Sequence, residues 1–274
     1  MVKKLLSNKM VVVSLILILA VVFVTVAAPA LTSYSYAQNS LKERYAAPSA
    51  AHVMGTDEYG RDVFTRLIYS GRVSITVSFL SVLIALAIGS ALGYAGGYFK
   101  GKADFAIGRV MDIMLSFPPI LLSMIIAICL GSSQSLICIA IGVPCVPGFY
   151  RIARSETLFI ANRSFVKASV MLGNRPLNII VRHIVPNSIP QILITLSGML
   201  GGCILAESSL GFLGLGVPPP TPSWGLLIND GKKVLFDAPW VSGFAGCMIT
   251  LNILAFNMLA DGLRDVLDPK RQER

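Results

Sequence analysis

Long apolar runs constrain this chain more than any other feature. They cover about residues 10–31, 73–99, 107–131, 135–150, 189–213 and 241–263. A helix that crosses a bilayer needs about 20 mostly apolar residues, because the hydrocarbon core is about 30 Å thick and each residue rises about 1.5 Å. The fourth run is the shortest, and it holds Pro144 and Pro147. Proline is tolerated in a span only where neighbouring helices or water satisfy the freed carbonyls. Composition points the same way, with 54% hydrophobic and 14% charged residues and a mean hydropathy of +0.72. A soluble domain carries roughly 25% charged residues. A water-soluble globule and a disordered, charge-rich chain are both excluded. The prediction is an all-α, polytopic membrane protein of about six transmembrane helices.

The basic residues set the orientation, since cytoplasmic loops collect Lys and Arg. With the N-terminus placed inside, 16 of the 23 Lys and Arg side chains fall on the inner side and 7 on the outer. Acidic residues leave about +9 inside and +1 outside, with Glu207 alone within a span. Both termini are therefore expected to be cytoplasmic. The formal charge of +9 reports orientation and not nucleic-acid binding.

The expected organisation is an N-terminal span over 1–31, an extracytoplasmic segment over 32–72, a core over 73–263 with an inner loop at 151–188, and a tail over 264–274. The first span has a rival reading as a secretory signal, because Lys3-Lys4, an apolar run and Ala28-Pro29-Ala30 mimic a cleavage site. Its run is longer than the usual signal core, so a retained span is the reading adopted. Cys129, Cys138, Cys145, Cys203 and Cys247 all fall in predicted spans, where cysteine acts as a small apolar residue. None has metal-ligand spacing, and no metal site is expected.

Three segments outside the plain spans hold unusual chemistry. On the outer side, His52-Val-Met-Gly-Thr-Asp-Glu-Tyr-Gly-Arg-Asp62 reads as a turn bracketed by Gly55 and Gly60. Val63, Phe64, Leu67 and Ile68 then recur at helical spacing beside Arg61, Arg66 and Arg72. That pattern predicts a short interfacial helix with solvated charges, leading into the second span. A contact surface for a delivering partner is the other reading.

On the inner loop, Ser164 is the expected N-cap of a helix over 165–172, closed by Gly173. Pro176 suits the first position of a second helix. There Leu177, Ile180, Val181 and Ile184 form one apolar stripe at i, i+3, i+4 and i+7, and Pro186 is expected to end the helix. Two short helices hinged at a glycine make a knob with an apolar face, the shape that docks in a groove on a partner protein.

The third segment runs from Glu207 through Gly211-Phe-Leu-Gly214-Leu-Gly216 and a proline run to Ser223-Trp224-Gly225. It lacks the strand and helix that a phosphate loop needs, so its glycines are expected to allow close helix contact. Trp224 and Trp240 fall where aromatic belts form. Glu207 is an acid deep in a span, read either as a pathway or gating group or as a structurally paired carboxyl. Gly96-Gly-Tyr-Phe-Lys-Gly101-Lys102-Ala103 matches a Walker A pattern except that Ala103 replaces the hydroxyl residue that binds magnesium. The chain is not expected to hydrolyse ATP.

Taken in order, these segments resemble the inner-membrane permease subunits of ATP-binding-cassette importers, closest to the dipeptide, oligopeptide and nickel group. Phe165-Val-Lys-Ala-Ser-Val-Met-Leu-Gly173 with Arg182-His-Ile-Val-Pro-Asn187 looks like the coupling-loop signature. The outer Gly-Thr-Asp…Gly-Arg-Asp element, the Phe-Leu-Gly-Leu-Gly…Ser-Trp-Gly element and Asn257-Met-Leu-Ala-Asp261-Gly-Leu-Arg-Asp265 fit as well, so the likeness covers about residues 50–270. One departure stands out. Many permeases have Glu followed by two Ala where this chain has Lys167-Ala168-Ser169.

The resemblance implies a type I importer permease fold and half of a translocation pathway for peptides or for nickel and metal chelates. Lys167, Ala168, Ser169, Gly173, His183, Ile184 and Pro186 are the implied coupling-loop residues. It also implies a second permease subunit as heterodimer partner, two cytosolic ATP-binding subunits that hold ATP and Mg, and an extracytoplasmic solute-binding protein. No cofactor is expected in this chain itself. The expected location, among lipid, is the plasma membrane of a bacterium or archaeon. A stand-alone ion-coupled carrier is the alternative, and it would need buried relays and a repeated pair of broken helices. Glu207 and the Pro144/Pro147 break are its only candidates, and no internal repeat is visible.

Overall fold

A computed structural model describes residues 7–131 and 133–267. The long helices are α1 (Lys9–Val26), α2 (Val63–Phe99), α5 (Gln134–Ala161), α8 (Val185–Phe212) and α10 (Trp240–Leu267). Between them lie α3 (Gly101–Leu115), α4 (Pro119–Leu130), α6 (Ser164–Met171), α7 (Pro176–Ile179) and α9 (Trp224–Gly231). Among the described residues five helices are long and apolar enough to span a membrane, and α3 with α4 makes a sixth if that bent pair is one span. The predicted straight span over 107–131 is thus corrected. α3 and α4 meet at 92°, broken at Ser116-Phe117-Pro118, where proline removes a donor and forces its predecessor out of the helical region.

α2 has 37 residues, which makes it about 55 Å long and longer than a bilayer is thick. It packs along α5 through Gly89, Gly93 and Gly97. A Cβ at each would fall 2.5, 2.6 and 2.9 Å from the carbonyl oxygens of Val146, Tyr150 and Arg154. Small residues at four-residue spacing let two backbones approach where lipid offers no hydrophobic driving force. This seam fixes the direction of α5, which continues past Tyr150 to Ala161 with both prolines inside it. Arg151, Arg154 and Glu156 are therefore helical, and the irregular part of the inner loop begins only at Asn162.

α1 belongs to the bundle. Val11 and Ser14 are buried, and a Cβ on Gly262 of α10 would lie 2.6 Å from Val11 Cγ2. Arg72 donates to the last carbonyls of α1, Nε to Thr25 O at 3.1 Å and Nη2 to Val26 O at 3.0 Å. Those carbonyls have no partner within their own helix, and a cation there also suits the helix dipole. The last seven positions of the predicted tail, 268–274, lie outside the described residues.

Candidate functional sites at the two membrane faces

At the end of the bundle where the outer segment was expected, Asp57 is the hub. Its Oδ1 accepts from the amides of Tyr59 at 2.9 Å and Arg61 at 3.0 Å. Its Oδ2 accepts from Arg61 Nε at 2.7 Å and Arg66 Nη1 at 2.5 Å. Both guanidiniums also reach Asp230 Oδ2 of α9, Arg66 at 3.1 Å and Arg61 at 3.4 Å. The two outer segments are thereby tied together by two acids and two bases whose charges cancel. Arg66 is 1% exposed, so the predicted interfacial helix with solvated charges is not what forms. Residues 63–72 are the first turns of α2, capped by Asp62, which accepts from Thr65 N at 2.7 Å and faces His52 Nδ1 at 2.9 Å. Burial pushes the Asp230 carboxyl above its ordinary range, although Arg66 and Arg61 pull the other way.

Glu207 sits under this junction, 1% exposed, with the hydroxyls of Ser74, Ser208 and Ser223 around its carboxyl. Ser223 caps α9 by accepting from Leu226 N at 3.3 Å. Trp224 is fully buried and donates from Nε1 to Leu67 O at 3.1 Å, while its amide donates to Ser74 Oγ at 3.2 Å. It is an anchor between segments and not the aromatic-belt residue predicted. Trp240 does similar work, donating from Nε1 to Thr56 O at 3.1 Å. Gly211, Gly216 and Gly225 allow the close contact expected, since a Cβ on Gly225 would meet Ser208 O at 2.3 Å, whereas Gly214 has nothing within 4 Å and serves a turn at φ +80°.

At the opposite end, where the inner loop was expected, Arg154 clamps Asp104 of α3 with Nε and Nη2, both at 2.6 Å, and Tyr150 Oη adds a bond at 3.1 Å. This clamp fixes α3 against the end of α5. Beyond it, α6 begins at Ser164, which is inside the helix and not its cap. Arg163 holds the cap position without a side-chain bond. Gly173 closes α6 at φ +74°, with its amide on Val170 O at 3.0 Å and the Asn174 amide on Ser169 O at 3.3 Å. Those two bonds are the Schellman arrangement, which satisfies carbonyls that the helix end leaves open.

The predicted apolar stripe is divided by a π-turn over Ile180–Ile184, in which the Val185 amide reaches back to Ile180 O. Ile180 and Ile184 turn inward, with Ile179, Val166 and Ile160, against Tyr94 and Tyr98 of α2. Leu177 and Val181 face outward. The widened turn also explains why Pro186 does not end the helix: it stands in the first turn of α8, where a missing N–H costs least.

The predicted loop residues therefore divide. Lys167, Ala168, Gly173 and Pro186 are exposed, His183 is half-buried, and Ser169 and Ile184 are buried. Ser169 holds shape from within, accepting from Asn174 Nδ2 at 3.0 Å. The most exposed large apolar side chains of this loop, Met171 at 90% and Leu172 at 82%, escaped sequence reasoning. Their signal was the Val-Met-Leu run directly before the capping glycine.

Residues 84–273 match the family described as the binding-protein-dependent transport system inner membrane component. Residues 1–48 match the N-terminal transmembrane domain of oligopeptide transport permease C. The dipeptide transport system permease protein DppC of Alkalihalophilus pseudofirmus is 42% identical over 98% of this chain and 88% of its own length. The glutathione transport system permease protein GsiD of Pectobacterium atrosepticum is 39% identical over 81% of this chain and 74% of its own. The probable D,D-dipeptide transport system permease protein DdpC of Escherichia coli is 36% identical over 96% of this chain and 89% of its own. Among solved structures, the inward-facing methionine transporter MetNI aligns with a TM-score of 0.60 at 16% identity, over 73% of this chain and 96% of that one. That likeness speaks to the fold. On the family match and the identity to full-length relatives, this chain belongs to the binding-protein-dependent transport system inner membrane component family and is a permease subunit of an ATP-binding-cassette importer, not itself an enzyme.

Proposed function

We propose that this permease carries short peptides inward as one half of a pathway shared with a second, non-identical permease subunit. Two cytosolic ATPase subunits drive the cycle, and an extracytoplasmic solute-binding protein delivers the substrate. The peptide class is supported by relatives named for dipeptide, D,D-dipeptide and glutathione transport, and it takes precedence over nickel or metal chelates. The single observation that carries the coupling role is the exposed face of Lys167, Ala168, Met171, Leu172, Leu177 and Val181. A glycine cap holds that face at the junction of two spanning helices. A short helix that presents apolar side chains to water from a rigid base is built to enter a groove on a partner.

The cycle then follows from rigid-body motion. ATP favours one arrangement of the ATPase pair, and it can bias the permease only through that difference in affinity. The docked α6–α7 unit passes the movement to α5 and α8, whose ends it joins. Glu207 is a positioning residue in this scheme. It holds the Ser223–Gly225 turn on α8 and so helps set the outer end of the pathway. Both termini and the α6–α7 unit lie in the cytoplasm in this scheme, a placement that the uneven distribution of Lys and Arg supports.

The test uses the assembled complex. Met171→Ser with Leu172→Ser is expected to leave the permease pair folded while weakening ATPase association and abolishing ATP-driven uptake of a labelled dipeptide. Unchanged uptake with normal assembly would sink the coupling assignment. Uptake that persists without the ATPase subunits would favour an ion-coupled carrier. A Lys167→Cys variant should react with a membrane-impermeant maleimide only in inverted vesicles, and labelling from the outside would reverse the orientation.

A further inference from the structure

The spanning helices hold a pair of thiols that the transport role leaves unused. Cys145 of α5 and Cys203 of α8 face each other with their sulfurs 3.7 Å apart, and neither is in a disulfide. Cys203 is buried and Cys145 half-buried. The contact around them is close. Gly148, one turn along α5, would bring a Cβ to 2.1 Å from Met199 Cε, one turn along α8. Cys145 stands 11 residues from the outer end of α5 and Cys203 stands 9 residues from that of α8. At about 1.5 Å per residue both lie about 14–17 Å deep, near the middle of a hydrocarbon core about 30 Å thick.

We propose that Cys145 and Cys203 form an intramembrane dithiol site, oxidised to an interhelical disulfide by lipid-soluble two-electron oxidants of the quinone class. The placement argues for this chemistry. Facing sulfurs need only a small approach to bond, and depth keeps out charged, water-borne disulfides such as oxidised glutathione. A quinone partitions into the layer where the pair lies. The step balances: two S–H bonds break, one S–S bond forms, and two electrons with two protons convert the quinone to its hydroquinone. The same pair of soft donors suits a trivalent arsenical, which takes two thiolates at once. The bond would tie together, at mid-depth, the helix that enters the α6–α7 unit and the helix that leaves it.

The experiment uses the full chain in native membranes, with Cys129, Cys138 and Cys247 replaced by Ala. Duroquinone is the probe, because its fully substituted ring resists addition of a thiol. After oxidation and denaturation, a polyethylene-glycol maleimide counts the remaining thiols. The expected result is joint loss of both thiols, restored by dithiothreitol, with a cross-linked peptide pair carrying Cys145 and Cys203. Phenylarsine oxide added beforehand should protect the pair from oxidation. Cys145→Ser and Cys203→Ser variants should each keep their remaining thiol reactive. Retention of both thiols, under conditions that oxidise the detergent-denatured chain, would overturn the proposal. So would equal thiol loss in the single-cysteine variants, which reports alkylation or links between chains. Oxidation by membrane-impermeant ferricyanide at the duroquinone rate would overturn the lipid-phase route.

Discussion

The outer junction and the inner α6–α7 unit answer opposite needs. At the predicted outer junction, charge is turned inward: Asp57, Arg61, Arg66 and Asp230 pair with one another, although Arg66 Nε has no partner. At the predicted inner unit, apolar surface is turned outward, and Met171 and Leu172 are exposed while the polar Ser169 is buried. The first region spends most of its strong groups on each other. The second is rigid but unfinished. A buried ion network penalises loss of any one member more than it rewards the whole, so the outer region resists partial opening. The inner one can lose an exposed side chain without harm to the fold.

Substitutions can break this contrast. Arg66→Ala leaves Asp57 and Asp230 with Arg61 as their one shared cation in a largely buried site and should cost about 3–5 kcal/mol, read as a fall in the thermal midpoint of the purified permease pair. Trp224→Phe removes the indole bond to Leu67 O, which keeps its partner in the α2 ladder, and leaves part of the buried indole volume unfilled, for a loss of about 1–3 kcal/mol in the same assay. Gly173→Val meets no neighbour within 4 Å, so its cost is the strained backbone at φ +74°, about 1–2 kcal/mol. Dipeptide-stimulated ATP hydrolysis should nevertheless collapse, because the turn between α6 and α7 changes direction. Leu177→Ser should leave the midpoint unmoved and weaken binding of the ATPase subunits in a pull-down titration. If the outer variants uncoupled transport without loss of stability, or Leu177→Ser unfolded the chain, the contrast would fail.

Much of this was legible in the sequence, for a physical reason. A bilayer imposes length and apolarity on every span, and both survive in a linear reading. The Gly173 cap and Pro176 start were visible because each residue type has one dominant backbone use. The errors share a cause as well. Arg66 looked solvated because an isolated arginine next to a span usually is. Only the fold brings Asp230 to it across 164 positions. The stripe from Leu177 to Ile184 was read at 3.6 residues per turn, and the π-turn changes the period inside that window. Gly89, Gly93 and Gly97 did carry a local signal for close packing, which hydropathy alone passes over.

The π-turn has a mechanical side. It stores one surplus residue between α7 and α8 without breaking the run of backbone bonds. Such a surplus can be handed to an adjacent turn by exchanging one hydrogen bond for another, and the residues it passes rotate by about 100° each time. In the helix leaving the inner loop, the surplus residue offsets the phase of the turns on either side of it, so that Ile180 and Ile184 face α2 while Leu177 and Val181 stay outward.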